Sequence, residues 1–464
     1  MQDRHHFSAP LPRACGGLFG PLALAAGLVF GAMLVPPAVA DDGLILSPEQ
    51  TPDATVFGDA AIELIHGQFL KYDRDYLKRI AERERRLDAL GERLFTLEEA
   101  DRSAECSRHI FLEAKWLVGY TAWWSRIDRR LEELEVSFAL PDQDFAKEPA
   151  PRDGFYGMCA VERFIRIEDT LVNYFDMAAN GEKPSVERKP IADLRTEKGL
   201  TNFLEERLIS DIPISGEDQR SRFGSLISIF AAADKRDFVM EFLRQTAQGG
   251  GLPPEQLQAL RDRFNALIDL WQDPASGYWG AWYRDGETLF RTTDLSITYH
   301  IVHARRGEVR HWPELIDTTF ALRDQIYPFG WLSDGHWTNH NNYDLARLFK
   351  YGWPHMTDDQ RAETARTLQA MVDWSFAETV RPDYAGFIAD PKLSSSLGST
   401  FYFGASFLVA AGYFDQQPWF GPLEHPAPVP EVCRAMIAYG RTLDGPLVAG
   451  GIAKLEEACK SHLS

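Results

Sequence analysis

Between Trp271 and Arg347 the chain concentrates side chains that move protons and hold anions, at a density a folded core does not need. Asp294, Tyr299 and His300 follow the loop WQDPASGYWGAWY. Asn339, His340, Asn341, Asn342, Tyr343, Asp344 and Arg347 follow PFGWLSDGHW. Amide and imidazole donors can neutralise a bound carboxylate, and a tyrosine or histidine with a tuned pKa can accept or return a proton. Arg291 or Arg347 can grip a carboxylate in a two-pronged fork. Asp294 and Asp344 hold equivalent places in consecutive repeats, with Asp334 between them, so hydrolysis of a glycosidic bond is open too; that reaction needs carboxylates about 5–9.5 Å apart. Trp279, Trp282, Trp331 and Trp337 are available to stack on sugar rings. His336, His340 and Asp344 are spaced by four, as metal ligands on one helix face would be, but Gly335 and the asparagines interrupt a helix there. No metal or cofactor is expected.

Each of these residues also has a plainer use. Asp294 after two threonines is a good helix cap, and Asp344 and Asn342 admit the same reading. Tyr299 and His300 suit a buried tyrosine and a satisfied core histidine. The second cluster goes further against local rules. Three asparagines and a histidine beside Thr338 are poor helix formers and poor core residues, and a site that breaks local rules is more often functional.

The elements that must position these groups announce themselves by repetition. Gly277-Tyr278-Trp279 recurs as Gly330-Trp331 and more weakly as Gly386-Phe387, at intervals of 53 (277 to 330) and 56 residues (330 to 386). A helical pattern follows each: Asp294 to Ala304, Tyr343 to Lys350 and Ser399 to Ala411. Such a period suits a two-helix hairpin that must stack beside copies of itself to bury its apolar face. Strand signals are sparse. The expected fold is all-α, an incomplete or complete α/α toroid of helical hairpins preceded by an N-terminal helical region, with the glycine-aromatic loops gathered at one end.

At Gln272-Asp273-Pro274-Ala275-Ser276-Gly277-Tyr278-Trp279 the chain resembles the Gln-x-x-x-x-Gly-x-Trp repeat of the toroidal terpenoid cyclases. That resemblance implies the fold rather than the reaction, because the acidic Asp-x-Asp-Asp and Asp-Asp-x-x-Asp motifs of that class are absent from this region. Asn339-His340-Asn341-Asn342-Tyr343 is similar in composition to the Asn-Asn-His-x-Tyr-Trp run of alginate-lyase-like toroids, although the order differs and Asp344 stands in place of tryptophan. This second resemblance implies β-elimination from a uronate. Asparagine and histidine would hold the carboxyl group, so that C5–H becomes acidic, and a tyrosine would handle the proton.

The rest of the chain sets limits. Residues 1–40 read as a secretory signal: Arg4 and Arg13, an apolar run from Leu22 to Val35, and Ala38-Val39-Ala40 before Asp41. The run is short for a membrane span, which needs about 20 residues, and no stable membrane insertion is expected after cleavage. The net charge of −19 argues against nucleic acid and anionic membranes as partners, since both require clustered Lys and Arg. Of the five cysteines, Cys15 leaves with the signal, and neighbours in sequence pair the rest as Cys106 with Cys159 and Cys433 with Cys459. Domain limits are expected at 41–190 for the N-terminal helical region and 191–464 for the toroid. Three functions stand: an exported polysaccharide lyase, a glycoside hydrolase using Asp294 and Asp344, and a non-catalytic polysaccharide-binding or assembly protein.

Overall fold

The structure is a computed structural model that describes residues 51–99, 105–139, 204–231, 254–388, 396–443 and 446–463. The expected signal peptide, the domain boundary near 190 and the Cys106–Cys159 bridge lie outside the described residues.

The N-terminal region is four helices: α1 (Asp59–Tyr72), α2 (Tyr76–Glu99), α3 (Glu105–Tyr120) and α4 (Trp124–Ser137). On α1 the apolar residues Ala61, Ile62, Ile65 and Phe69 recur every three to four positions and are buried together. The charged α2 puts its arginines to use, with Arg83 paired to Asp128 and Arg86 to Glu135 on α4. These helices enclose one hydrophobic core, which also receives Ile212, Ala281, Tyr283 and Phe329 from the later chain.

The larger core belongs to residues beyond 203. Helix α5 (Arg220–Ala231) is followed in chain order by α6 (Pro254–Trp271), α7 (Leu295–Ala304), α8 (Trp312–Ala321), α9 (Asn339–Gly352), α10 (Asp358–Trp374), α11 (Leu397–Ala410), α12 (Val429–Gly440) and α13 (Pro446–Cys459). Alternate helices pack in chain order, α7 on α9, α9 on α11 and α11 on α13, and α5 packs on α7.

The repeated loops are the joints of this array. Gln272 donates to the carbonyls of Gly277 (2.9 Å) and Arg310 (2.6 Å), which folds the loop back on itself. Trp279 donates its indole N–H to the carbonyl of Ile268 and Trp331 donates its own to Thr319, each reaching into the preceding helix. Gly277 has φ +72°, and a Cβ there would lie 2.5 Å from the backbone nitrogen of Leu315. Only glycine allows that approach without strain.

The expectation of an all-α chain needs correction. The described residues are mostly helical but include a four-stranded sheet in the order β1-β4-β3-β2. Strands β3 (Trp282–Asp285) and β4 (Thr288–Thr292) form a hairpin across Gly286, while β1 (Ala54–Val56) and β2 (Ile209–Ser210) add in parallel at its edges. The signal was present: Asp-Gly between two runs of aromatic and β-branched residues is a strong short-range hairpin pattern.

Cys433 and Cys459 form a disulfide that joins α12 to the end of α13, as the sequence spacing suggested. The bridge spans 26 residues, and on the chain-entropy model a loop of that length gives about 3.5 kcal/mol of stabilisation. Cys433→Ala/Cys459→Ala should lower the free energy of urea unfolding by about that amount, with an unchanged far-ultraviolet circular dichroism spectrum before the transition.

Candidate active site

Two helix starts bring the ionisable residues together, and each has its own reason for beginning where it does. Asp294 caps α7, accepting from the backbone N–H of Ile297 at 2.8 Å. Thr338 caps α9, accepting from Asn341 at 3.1 Å. A backbone bond from Leu295 to the carbonyl of Pro328, 2.7 Å, ties the start of α7 to the loop carrying Tyr327.

Asp294 does more than cap. Arg220 of α5 grips both of its carboxylate oxygens, through Nε to Oδ2 and through Nη2 to Oδ1 at 3.1 Å. A further Arg220 nitrogen donates to the hydroxyl of Tyr120 on α3 at 3.1 Å. Asp294 is 0% exposed and fully committed. It is the structural anchor of the site, not a group that reaches substrate.

The side chains facing the same region come from four alternate helices. Helix α7 gives Tyr299, His300 and His303; α9 gives His340, Tyr343, Asp344 and Arg347; α11 gives Tyr402, Phe403 and Ser406; α13 gives Lys454. His340 rests on Phe403, with ring centres 4.1 Å apart, and lies 5.7 Å from the ring of Tyr327. Tyr299 touches Tyr343 at 5.8 Å and stacks on His303 at 5.6 Å. Lys454 donates to the hydroxyls of Tyr402 and Ser406, both at 2.8 Å, and its ammonium lies over the ring of Tyr343 at 5.1 Å. Arg347 donates to Nδ1 of His303 at 3.0 Å.

Burial decides the charge state. The side chain of His340 is 37% exposed, yet desolvation, aided by the charges of His300 and Lys115, lowers its pKa to about 4. His340 keeps part of its surface open while Phe403 and Tyr327 cover the rest of the ring. His300 is pushed down to about 4 by desolvation and by Arg220. Tyr299 and Tyr327 are shifted upward, in each case mainly by burial and next by the charge of Asp344. Asp344, 1% exposed, is held well above the usual carboxylate range by burial, against the opposing effect of a hydrogen bond from Tyr327 at 3.3 Å. His340 and Asp344 stand 4.0 Å apart, an ion-pair distance, but burial works against the charged form of each.

The cluster therefore holds neutral imidazoles, protonated phenols and a carboxyl whose charged form burial disfavours, with Arg347 and Lys454 as the fixed cations. It can receive an anion without meeting an unpaired carboxylate, within a chain of net charge −19.

The remaining residues singled out from the sequence lie elsewhere. Trp279, Trp282 and Trp331 are buried in the core and offer no face to a sugar; Trp337 is half-buried and meets Trp374 edge-on at 6.2 Å. Arg291 on β4 pairs with Asp273 at 2.7 Å. Asn341 donates to the carbonyl of Trp331 and the hydroxyl of Ser333, while Asn339 bonds with Thr379 and Ser375, so both brace loops. Asn342 is 0% exposed and neither its Nδ2 nor its Oδ1 has a partner. His336 precedes α9, off the helix that carries His340 and Asp344. Arg220, His303, Tyr327, Tyr402 and Lys454 were not singled out. Only Tyr327, just before Pro328 and the Phe329-Gly330-Trp331 loop, had a local signal. Comparison with protein-family models, curated proteins and solved structures gives no match.

Two expectations follow. Truncating Asp294 to Ala strands the Arg220 charge in a buried position, and breaking such a pair costs about 3–5 kcal/mol; urea unfolding of Asp294→Ala should show that loss. The ring resonances of His300 and His340 should titrate with midpoints near pH 4 rather than at the ordinary 6.5. Because the folded state binds fewer protons than the unfolded chain in that interval, the histidine contribution to stability is complete above about pH 6.5 and is lost as pH falls toward 4.

Proposed function

We propose that the protein is an exported polysaccharide lyase that cleaves a uronate-containing polymer by β-elimination at the recess around His340. The observation that carries this reading is the uncharged acid–base set combined with positive charge: His300 and His340 neutral, Tyr327 protonated, and Arg347 and Lys454 nearby. A bound uronate carboxylate interacts with Arg347 and Lys454, and its negative charge raises the pKa of the neighbouring imidazoles, since an opposite charge within about 4–6 Å favours the charged form. His340 then becomes a competent base for C5–H. Tyr327 keeps its proton until the glycosidic oxygen leaves, and supplies it there.

Hydrolysis through Asp294 and Asp344 has less support. Asp294 is consumed by Arg220 and the helix cap, and Asp344 is enclosed and hydrogen-bonded to Tyr327. The stacked helices with their Gly-Trp joints are compatible with an α/α toroid, which is part of the same proposal.

The test is incubation of the purified protein with uronic-acid and neutral polysaccharides, reading the ultraviolet absorbance of the conjugated double bond beside new reducing ends. Absorbance should appear with a polyuronate, and His340→Ala should lower kcat by about 10²–10⁴-fold, the usual contribution of a general base. Reducing ends without absorbance would overturn elimination in favour of hydrolysis. Silence in both channels with retained polymer binding would favour the non-catalytic reading.

A further inference from the structure

Beside the histidine recess, across Arg220, a cavity of ≈ 70 Å³ opens between α1, α2, α3 and the turn at Pro328 and Phe329. At roughly 10–15 Å³ for each water-sized centre, it has room for about five to seven, the scale of one hydroxylated ring rather than a polymer. Its lining is apolar at Ile62, Ile65 and Phe69, with Phe69 stacked on Tyr76 at 4.4 Å between ring centres. Its polar groups are His66, on the same helix as those three, and Tyr76 and Glu84 on α2. All three are displaced from their ordinary pKa values chiefly by burial: His66 falls to about 4, Glu84 rises to about 8 and Tyr76 rises further. None of the three side chains finds a hydrogen-bond partner among the described residues. Tyr76 is buried and His66 and Glu84 are half-buried, so three polar groups converging on one cavity without protein partners mark a place where a ligand or water completes the bonding.

The chemistry of the walls selects an uncharged ligand. Near neutral pH Glu84 holds its proton and His66 lacks one. Asp218 is occupied by Tyr283 at 3.1 and 3.2 Å and by the backbone of Arg220 at 2.9 Å, and Arg220 is spent on Asp294. An incoming carboxylate would find no free cation there and would lie close to Asp218. A sugar ring offers hydroxyls to alternate donors and acceptors on one side and C–H groups to an aromatic and aliphatic face on the other.

We propose that this cavity is a saccharide subsite for one uncharged, hydroxyl-bearing sugar ring, held by His66, Tyr76 and Glu84 and continuing the histidine recess across Arg220. Resting on the polysaccharide reading above, it deepens that reading: the substrate carries a neutral sugar next to the uronate that is cleaved. Arg220 links the two spaces, because it lines the cavity while its charge depresses His300.

The test is binding rather than turnover, so it stands even if elimination fails. Saturation-transfer NMR and calorimetry on the full chain at pH 7 would use D-glucose, D-mannose and D-galactose, with D-glucuronate and D-glucosamine as charged comparators. At least one neutral sugar should bind saturably. Glu84→Ala and His66→Ala should weaken it by tenfold or more, and Glu84→Gln, which mimics the protonated carboxyl, should retain it. Glu363→Ala, in a surface ion pair with Arg323 and Arg366, should leave it unchanged. The proposal is overturned if the wild type binds no neutral sugar, if either charged sugar binds more tightly than the neutral ones, or if binding keeps its wild-type strength in both Glu84→Ala and His66→Ala. Should Glu84→Ala fail to fold, His66→Ala and Glu84→Gln decide the matter.

Discussion

The Arg220–Asp294 pair is the constraint on which the site depends. Asp294 begins α7, Arg220 begins α5, and the same guanidinium reaches Tyr120 at the end of α3, so one ion pair joins the N-terminal helices to the later ones. Taken out of water, such a pair contributes little net stability; its consequence is that neither partner can be removed without leaving a buried charge. It also sets the local field. Arg220 helps to keep His300 neutral, and the carboxylate of Asp294 adds to the burial that raises the pKa of Asp344.

From that field follows the character of the recess. A strongly acidic chain would ordinarily repel an acidic polymer, and here Asp294 is paired with Arg220 and Asp344 is enclosed and hydrogen-bonded to Tyr327. Burial supplies the uncharged imidazoles and phenols, and Arg347 and Lys454 supply the attraction. Lys454 arrives on the last helix, which the Cys433–Cys459 bridge fastens to its neighbour, so the C-terminal pair belongs to the site as well as to the core.

The sequence made some of this legible. The Gly277-Tyr278-Trp279 and Gly330-Trp331 repeats located the joints, because each glycine admits a backbone approach that a Cβ would block and each indole donates to a carbonyl of the preceding helix. Asp294 was readable as a cap from Thr292-Thr293-Asp294. The density of polar residues at 339–344 located His340, but it misjudged the asparagines: two brace loops, and Asn342 is enclosed. The tryptophans pointed to sugar stacking because sequence cannot distinguish an exposed indole from one whose N–H is satisfied by a helix carbonyl. The β3–β4 hairpin had its Asp285-Gly286 signal, whereas β1 and β2 pair with segments tens to hundreds of residues away and carry too few residues to show a period. Arg220 and Lys454 are single charges on helices distant in sequence from the residues they meet, and no local pattern could have assigned them.

The central claim is that a bound uronate converts neutral imidazoles into working bases. Calorimetric titration of a uronate oligosaccharide at pH 7, repeated in buffers of different ionisation enthalpy, measures the protons exchanged on binding. The account predicts uptake of well under one proton on binding, lost in His340→Ala, because the imidazole must gain basicity yet stay largely unprotonated to accept the C5 proton. Uptake of a full proton by His340, or proton release on binding, would contradict it.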